Sequence, residues 1–433
     1  MSSWTITPQG KPLRGTVQVP GDKSITHRAL IFGALAEGRS TITGYCRGED
    51  CLNTLQAVRA LGIEIQEEGS DRLQVMGKGL WGLSEPTSVI DCGNSGTGLR
   101  LLAGVLAGQD FFSVLTGDSS LRKRPMGRVV TPLRRMGATI AGRKAGEYAP
   151  LAITGGNLRG REYVSPVASA QVKSSVLLAG LLAEGGTTLT EPLKSRDHTE
   201  RMLQYLGVPL QIDKLTVSLN GRTSFQGASL AVPGDLSAAA FFLVAGSIVP
   251  NSEILLPRVG VNPERTGILD VLIQMGANIE VRDSRIESGE PVADLLVKSA
   301  TLRGVHVGAE QVPKTIDEFP ILCIAAAAAE GETRITGAEE LRVKETDRIH
   351  AMATELRRLH VPAEETQDGL CIQGKATLRG GSFGSYGDHR VAMSLAVAGL
   401  IAQSPILIDD VACVETSFPG FLDKLLDLLT NSR

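Results

Sequence analysis

The chain has 433 residues, 42% of them hydrophobic and 21% charged, which is typical of a globular protein with one or two domains. Its formal net charge is −3, so no overall positive field attracts nucleic acid, and no nucleic-acid partner is expected. The longest apolar runs are shorter than the ~20 residues that span a bilayer, and the start MSSWTITPQG lacks the pattern of a signal peptide. We expect a cytoplasmic protein without a membrane partner.

The cysteines are scattered among apolar neighbours, at positions 46, 51, 92, 323, 371 and 413. Cys46 and Cys51 are close in sequence, but no second pair completes a tetrahedral set, so we expect no metal site. Buried, reduced thiols are the preferred interpretation.

In chain order, one pattern recurs six times: an apolar helix, a stop of small residues that includes a glycine cap in most copies, and a short strand. Its copies read ALAEGRSTITG, VLAGQDFFSVLTG, LLAEGGTTLTE, FLVAGSIVPNSEILL, AAAEGETRITG and VAGLIAQSPILID.

A second pattern alternates with the first and predicts a helix end, a turn and another strand. Its turn residues are Gly62, Gly137, Gly207, Gly276 and His360. A sixth helix is predicted at FPGFLDKLLDLL, without a following strand. The chain is therefore predicted to consist of six α/β units of roughly 70 residues each.

The predicted helix starts carry an unusual number of cations, although a helix N-terminus favours acids. Taken singly, each has a simple explanation: residues 122–124 are a solvated charge run, and GNSGTG at 93–98 is a tight turn. Recurrence at equivalent places predicts pockets for anions instead. Asp317 and Glu345 lie among these cations, which favour their base forms and suit them to proton transfer. The cations are Lys23, Arg28, Arg100, Arg122, Lys123, Arg124, Arg196, Lys344, Arg348 and Arg390.

The sequence resembles the 5-enolpyruvylshikimate-3-phosphate (EPSP) synthase family along essentially its whole length. The motifs are GDKSITHRALI, DCGNSGTGLRLL, GDSSLRKRPM, ASAQVKSSVLLAGLL, SRDHTERML, VKETDRIHAM and GDHRVAM. The resemblance implies an enolpyruvyl transfer from phosphoenolpyruvate to the 5-hydroxyl of shikimate 3-phosphate. Phosphate leaves a tetrahedral intermediate, and no metal or organic cofactor takes part.

The fold implied by the resemblance is α/β, with two similar domains that each contain three βαβαββ units, an inside-out α/β barrel. Residues 1–20 and 240–433 would form one domain and residues 21–239 the other. The active site would lie in the cleft between them. This fold agrees with the six repeats found in the residues themselves.

The resemblance also implies roles for individual residues. The catalytic set would be Lys23, Asp317 and Glu345, in which Asp317 accepts the hydroxyl proton and Glu345 and Lys23 share the other proton transfers. Shikimate 3-phosphate would be bound by Lys23, Ser24, Arg28, Ser169, Ala170, Gln171, Arg196, Asp317 and Lys344. Phosphoenolpyruvate would be bound by Lys23, Gly96, Arg124, Gln171, Arg348, His389 and Arg390.

Glyphosate is expected as a competitive inhibitor, and the protein is expected to be a monomer. DHTERML and SAQVKSS resemble a bacterial branch that includes glyphosate-tolerant enzymes. Thr416 replaces a lysine of sensitive members, and Ala170 replaces a serine. Gly96, in contrast, is not the alanine that crowds glyphosate in tolerant relatives, so we expect moderate to good glyphosate binding.

Two alternatives are considered. The related enolpyruvyl transferase that acts on UDP-N-acetylglucosamine has Lys-Asn after the first turn and a cysteine in the basic loop. Here those places hold Lys23-Ser24 and the cysteine-free GDSSLRKRPM. A non-catalytic anion-binding homologue would be expected to have lost some of Lys23, Asp317, Glu345 or Arg390, and all four are present.

Overall fold

A computed structural model describes residues 2–430. The chain divides into two compact units. The amino-terminal unit contains residues 21–232 and 286–290, and the carboxy-terminal unit contains residues 1–20, 233–285 and 291–433. Each unit has a hydrophobic core of its own. The expectation of a cleft that holds the active site stays a prediction.

The helices range from four to thirteen residues in length. They are α1 Lys23–Leu35, α2 Glu49–Ala60, α3 Gly96–Ala107, α4 Gly127–Met136, α5 Arg143–Gly146, α6 Ala170–Leu182, α7 His198–Tyr205, α8 Leu236–Ile248, α9 Gly267–Gln274, α10 Val312–Thr315, α11 Phe319–Ala328, α12 Arg348–Arg358, α13 His389–Gly399 and α14 Phe421–Thr430. Short 3-10 helices are formed by Leu121–Lys123, Glu339–Val343 and Val411–Thr416.

The strands are short and most lie between these helices. They are β1 Ser3–Ile6, β2 Arg14–Thr16, β3 Glu37–Thr43, β4 Glu64–Glu68, β5 Arg72–Lys78, β6 Ile90–Asp91, β7 Phe112–Thr116, β8 Thr139–Gly142, β9 Tyr148–Thr154, β10 Glu162–Val164, β11 Gly186–Thr190, β12 Leu210–Asp213, β13 Thr216–Asn220, β14 Ser229–Ala231, β15 Glu253–Gly260, β16 Asn278–Glu287, β17 Glu290–Lys298, β18 His306–Val307, β19 Glu332–Ile335, β20 Ala363–Glu365, β21 Leu370–Gln373, β22 Gly381–Gly384 and β23 Ile406–Asp409.

Six small sheets repeat one topology. In the sheet β6-β7-β9-β8, the first two strands are parallel, and β9 is antiparallel to both β7 and β8. Four other sheets follow the same order, and each unit contains three of the six sheets. The fold is therefore mixed α/β with six internal repeats, three per unit, and among residues 2–430 no sheet closes into a barrel.

The sixth sheet, β1-β23-β22, has three strands. The sequence predicts no strand after the last helix, and residues 421–430 end the described chain as α14. The amino-terminal strand β1 supplies the antiparallel neighbour instead, with Ile6 opposite Ile406. The repeat is thus completed by the other end of the chain.

The first helix of each repeat is buried on almost every side, as in α8, where twelve of thirteen residues are buried. Small residues allow these helices to approach closely: a Cβ on Gly104 in α3 would lie 2.3 Å from the Ser175 carbonyl oxygen in α6. The core of each unit is therefore built from these central helices, with the sheets packed around them.

Some local predictions need correction. Among the first helices, α3 has the expected glycine cap, Gly108. The expectation is wrong for the other five: α1, α6, α8 and α11 end in extended conformation and α13 in helical conformation, at Ala36, Ala183, Val249, Ala329 and Leu400. Proline is suited to the first turn of a helix, which predicts that position for Pro125 and Pro263 from the sequence. Both instead precede their helices, α4 and α9. The turn residues of the second pattern all have positive φ, from 64° at His360 to 117° at Gly137.

Within residues 2–430, no helix is long and apolar enough to cross a membrane. In the same range, the six cysteines form no disulfide bond.

Candidate active site

The start of α1 brings a cation and an acid together in the amino-terminal unit. The Asp22 side chain caps the helix by accepting from the Ile25 N–H at 2.9 Å. Lys23 follows in the first turn, and its Nζ lies 2.9 Å from Oδ2 of Asp50, near the start of α2. The Asp22 cap and the Asp50 partner offset the unfavourable placement of a lysine at a helix N-terminus.

Arg28 lies one turn further along α1 and is only 2% exposed. Its Nε donates to Thr199 Oγ1 at 2.7 Å, and its Nη2 donates to Ser174 Oγ at 2.6 Å. Burial and the nearby Arg196 both lower the pKa of Arg28, to about 10, so it stays protonated at neutral pH. Arg28 and Arg196 are neighbouring cations, so this part of the amino-terminal unit is suited to binding an anion.

The start of α3 carries a second basic cluster. Ser95 caps the helix by accepting from the Gly98 N–H at 2.9 Å. Arg124 reaches this turn with Nη2 at 2.7 Å from Asn94 Oδ1. A Cβ on Gly96 would lie 3.0 Å from Arg100 Nη1 and 3.4 Å from Arg124 Nη1, so two guanidinium groups lie against this glycine.

Gln171 links that cluster to the start of α6. Its Oε1 accepts from Arg100 Nη1, and its Nε2 donates to Thr97 Oγ1 at 2.8 Å. Ser169 caps α6 by accepting from the Val172 N–H at 3.4 Å, and Ala170 opens the helix. The sequence-predicted residues Gln171, Gly96 and Arg124 thus lie in one group, joined by Arg100.

A buried ion cluster underlies the start of α6. Lys173 is 2% exposed and lies 2.8 Å from Glu191 and 2.7 Å from Glu200. Burial lowers the pKa of Lys173, but the two carboxylates outweigh it and the pKa is raised. Glu191 also accepts from the Ser195 hydroxyl, which ties down the loop that carries Arg196.

The carboxy-terminal unit contains the predicted acids. Arg348, 1% exposed at the start of α12, has Nε 2.8 Å from Oδ2 of Asp388 and Nη2 2.8 Å from Oε2 of Glu345. Its Nη1 lies 3.7 Å from Oδ1 of Asp317. These carboxylates raise the pKa of Arg348 against the opposing effect of burial.

Lys344 and Arg390 complete this group. Burial lowers the pKa of Lys344, and Arg348 lowers it further, while Asp317 opposes the shift. Arg390 Nη1 donates to the backbone oxygen of Asp317 at 2.9 Å. His389, 4% exposed, lies with Nδ1 3.4 Å from Thr416 Oγ1.

Three partners in these clusters were not predicted individually: Asp50, Asp388 and Arg265. Arg265 lies between Asp235, at 2.9 Å, and Asp317, at 4.0 Å. Arg265 lies in NPERTGIL, just before α9, so its place beside a helix start was a usable signal. The two aspartates could have been suspected only as acids that offset the cations.

Each unit therefore brings its predicted residues together at helix starts. Lys23 and Arg28 share α1, and Gly96, Arg124 and Gln171 form one cluster of the amino-terminal unit. Asp317, Glu345 and Arg348 form one cluster of the carboxy-terminal unit, with Arg390 attached through a backbone oxygen. Such groups can bind carboxylate and phosphate anions through forked hydrogen bonds and can hold acids next to them.

Comparisons with known proteins agree on one family. Residues 7–425 match the family model described as EPSP synthase (3-phosphoshikimate 1-carboxyvinyltransferase). A 3-phosphoshikimate 1-carboxyvinyltransferase of Citrifermentans bemidjiense is 54% identical over 425 residues, which cover 98% of this chain and 99% of that protein. The structure of an EPSP synthase from Acinetobacter baumannii is 47% identical with a TM-score of 0.89, covering 98% of each chain. The enolpyruvyl transferase NikO from Streptomyces tendae, 19% identical, has the same fold with a TM-score of 0.78, covering 98% of this chain and 96% of NikO.

Proposed function

The chain belongs to the EPSP synthase family and has 3-phosphoshikimate 1-carboxyvinyltransferase activity in the shikimate pathway, and on that premise we propose how its residues divide the reaction. The observation that carries the proposal is the cluster in which Arg348 contacts both Glu345 and Asp388 at 2.8 Å and Asp317 at 3.7 Å. It places two candidate proton-transfer groups around one buried cation.

In this proposal the amino-terminal unit supplies most of the pocket for shikimate 3-phosphate. Lys23, Ser24, Arg28 and Arg196 bind the phosphate and ring, and Ser169, Ala170 and Gln171 line the other side. The support is the adjacency of Arg28 and Arg196: burial lowers the pKa of Arg28, and the charge of Arg196 lowers it further. Asp317 and Lys344 add contacts from the carboxy-terminal unit.

Phosphoenolpyruvate is held by Arg124, Gly96 and Gln171 together with Lys23, Arg348, His389 and Arg390. Arg100 and Arg124 both lie against Gly96, and a side chain at this position would occupy the space that the two guanidinium groups face. This favours a role for Gly96 in the phosphoenolpyruvate site. Arg348 is almost completely buried among carboxylates. It therefore orients Asp317 and Glu345 as well as contacting the substrate.

Asp317 accepts the proton of the 5-hydroxyl as that oxygen bonds to C2 of phosphoenolpyruvate. C3 gains a proton from Glu345 or Lys23, which gives the tetrahedral intermediate. Loss of phosphate and of one methyl proton then restores the double bond, so the same groups act in reverse. Positioned acids and bases of this kind contribute roughly 10²–10⁴-fold each.

Three further parts of the proposal follow from the sequence-based expectations. Glyphosate competes with phosphoenolpyruvate for the group around Gly96. The protein acts as a monomer, and it works in the cytoplasm.

Phosphate release from purified protein tests the substrate assignment. Phosphoenolpyruvate is supplied with either shikimate 3-phosphate or UDP-N-acetylglucosamine, both in the presence of EDTA. We expect release with shikimate 3-phosphate alone, unaffected by the chelator. Release with the nucleotide sugar would support the alternative transferase, and release with neither would support a binding-only homologue.

A further inference from the structure

Arg265 is a buried cation that the residue assignments above leave without a role. It lies just before α9 in the carboxy-terminal unit and is 4% exposed. No substrate contact is assigned to it in the proposal above. Any part it takes in the reaction must act through a neighbour.

The neighbours on one side are fixed by the start of α8. Arg265 Nη2 lies 2.9 Å from Asp235 Oδ1 and 2.8 Å from Ser237 Oγ. Asp235 caps α8 by accepting from the Ser237 N–H at 2.8 Å. The guanidinium group is thus held by a helix terminus, which is a rigid support.

On the other side Arg265 faces Asp317. Its Nη1 lies 4.0 Å from Oδ2 of Asp317, and Arg348 Nη1 lies 3.7 Å from the other oxygen, Oδ1. The carboxylate therefore has a guanidinium group on each side. An opposite charge within ~4–6 Å stabilises the ionised form of a carboxyl group.

The same anchor also reaches the residue that follows Asp317. The Ser237 hydroxyl donates to the side-chain carboxylate of Glu318, which is 1% exposed. Ser237 thereby links Arg265 to the segment that carries Asp317 through two side-chain hydrogen bonds. This closed set of contacts distinguishes Arg265 from a simple surface ion pair.

Other charged groups also act on Asp317. Lys344 and Glu345 precede α12, Arg348 lies at its start, and Arg390 donates to the Asp317 backbone oxygen from α13. Glu318 adjoins Asp317 in the chain and lies 4.0 Å from Arg390, and Asp235 faces Arg265. Arg265 and Arg348 are the cations that the structure places at its two carboxylate oxygens.

We propose that Arg265 is a positioning residue that keeps Asp317 ionised and correctly oriented, and so sets the lower pH limit of the transfer reaction. This rests on the proposed role of Asp317 as the base. A purely structural role, in which Arg265 only neutralises the buried Asp235, would affect stability without moving the pH dependence of the rate.

The test is the pH profile of kcat at saturating concentrations of both substrates. Arg265→Met removes a cation that lies beside Asp317. The acidic limb of the profile, where kcat falls as Asp317 is protonated, should therefore move to higher pH by about one unit. Arg265→Lys keeps the charge and should restore a limb close to that of wild type. Arg358→Met is the matched control, because Arg358 pairs with the buried Glu355 in the same unit, and it should leave the limb in place.

An unmoved limb in a folded Arg265→Met variant would overturn the inference. If that variant does not fold, Ser237→Ala is measured instead, because it keeps the Arg265 cation and removes the hydroxyl that anchors it. An acidic limb identical to that of wild type in Ser237→Ala would also overturn the inference. Asp317→Asn separates this failure from that of the proposed function. If Asp317→Asn is inactive while Arg265→Met has a wild-type profile, only the role of Arg265 is wrong; if Asp317→Asn is active, the assignment of the base is wrong.

Discussion

Gly96 shows how one missing methyl group bears on ligand choice. A Cβ at this position would lie 3.0 Å from Arg100 Nη1, which is tighter than ordinary van der Waals contact. Arg124 Nη1, at 3.4 Å, would be in ordinary van der Waals contact, so the Arg100 guanidinium group is the one that would have to shift. We therefore predict that Gly96→Ala weakens inhibition by glyphosate about tenfold or more and raises the KM for phosphoenolpyruvate, as measured by steady-state kinetics.

Gly308→Ala is the matched control, because a Cβ there meets nothing within 4 Å and the residue has no positive φ. Gly308→Ala should change neither the inhibition constant of glyphosate nor the KM for phosphoenolpyruvate. A wild-type enzyme that already tolerates glyphosate, with an inhibition constant unchanged by Gly96→Ala, would refute the prediction.

Residue types at the helix starts could be predicted from the sequence, whereas their partners could not. The motifs identify Lys23 and Arg348 as cations in unusual places, but the contacts with Asp50 and Asp388 join residues 27 and 40 positions apart. The first pairing joins the two helices of one repeat and the second joins two consecutive repeats, so both depend on how the helices pack in three dimensions. Sequence periodicity does not contain that information.

His27 links three helices of the amino-terminal unit. Its Nδ1 lies 2.8 Å from Thr54 Oγ1 in α2, and its Nε2 lies 3.3 Å from Ser95 Oγ, the cap of α3. Burial, together with Lys23 and Arg28, lowers the pKa of His27 from 6.5 to about 3. The folded unit therefore holds a neutral imidazole at the junction of α1, α2 and α3.

This makes the stability of the protein depend on pH with a definite sign. The folded-state pKa lies below the unfolded one, so the unfolded chain binds an extra proton between pH 6.5 and about 3. The contribution of His27 is complete above pH 6.5 and is lost as the pH falls, by up to ~1.4 kcal/mol per unit. Denaturant unfolding at about pH 7.5 and about pH 5.5 measures this loss.

His27→Asn should reduce the difference between the two pH values, although it also costs stability at both. His306→Asn removes an exposed imidazole that contacts Thr336 and serves as control. If the free energy of unfolding depends on pH equally in wild type and His27→Asn, the His27 imidazole is not the cause of that dependence.

The helices could be predicted because two different recurring sequence patterns mark the first and the second helix of each repeat. The first and second helices of the repeats form where the two patterns predict them, and the five turn residues adopt positive φ. The strand that completes the sixth sheet was missed, because β1 lies about 400 residues from β23 in sequence. Local patterns specify an element, but the partner of an edge strand is decided by the whole fold.

At the scale of the whole molecule, a chain of net charge −3 presents basic clusters without being basic overall. The acids that compensate the cations lie at the same helix starts: Asp22, Asp347 and Asp388 cap α1, α12 and α13. The six-fold repeat multiplies these starts, so a few local clusters can bind anions while the rest of the surface stays mixed in sign.

The central claim is that Asp317 is the base for transfer to shikimate 3-phosphate, and phosphate release by Asp317→Asn tests it most directly. The amide keeps the size of the side chain and removes its capacity to accept the proton. We predict that kcat falls by about 100-fold or more while shikimate 3-phosphate still binds within a few-fold of wild type. A kcat within a few-fold of wild type would contradict it.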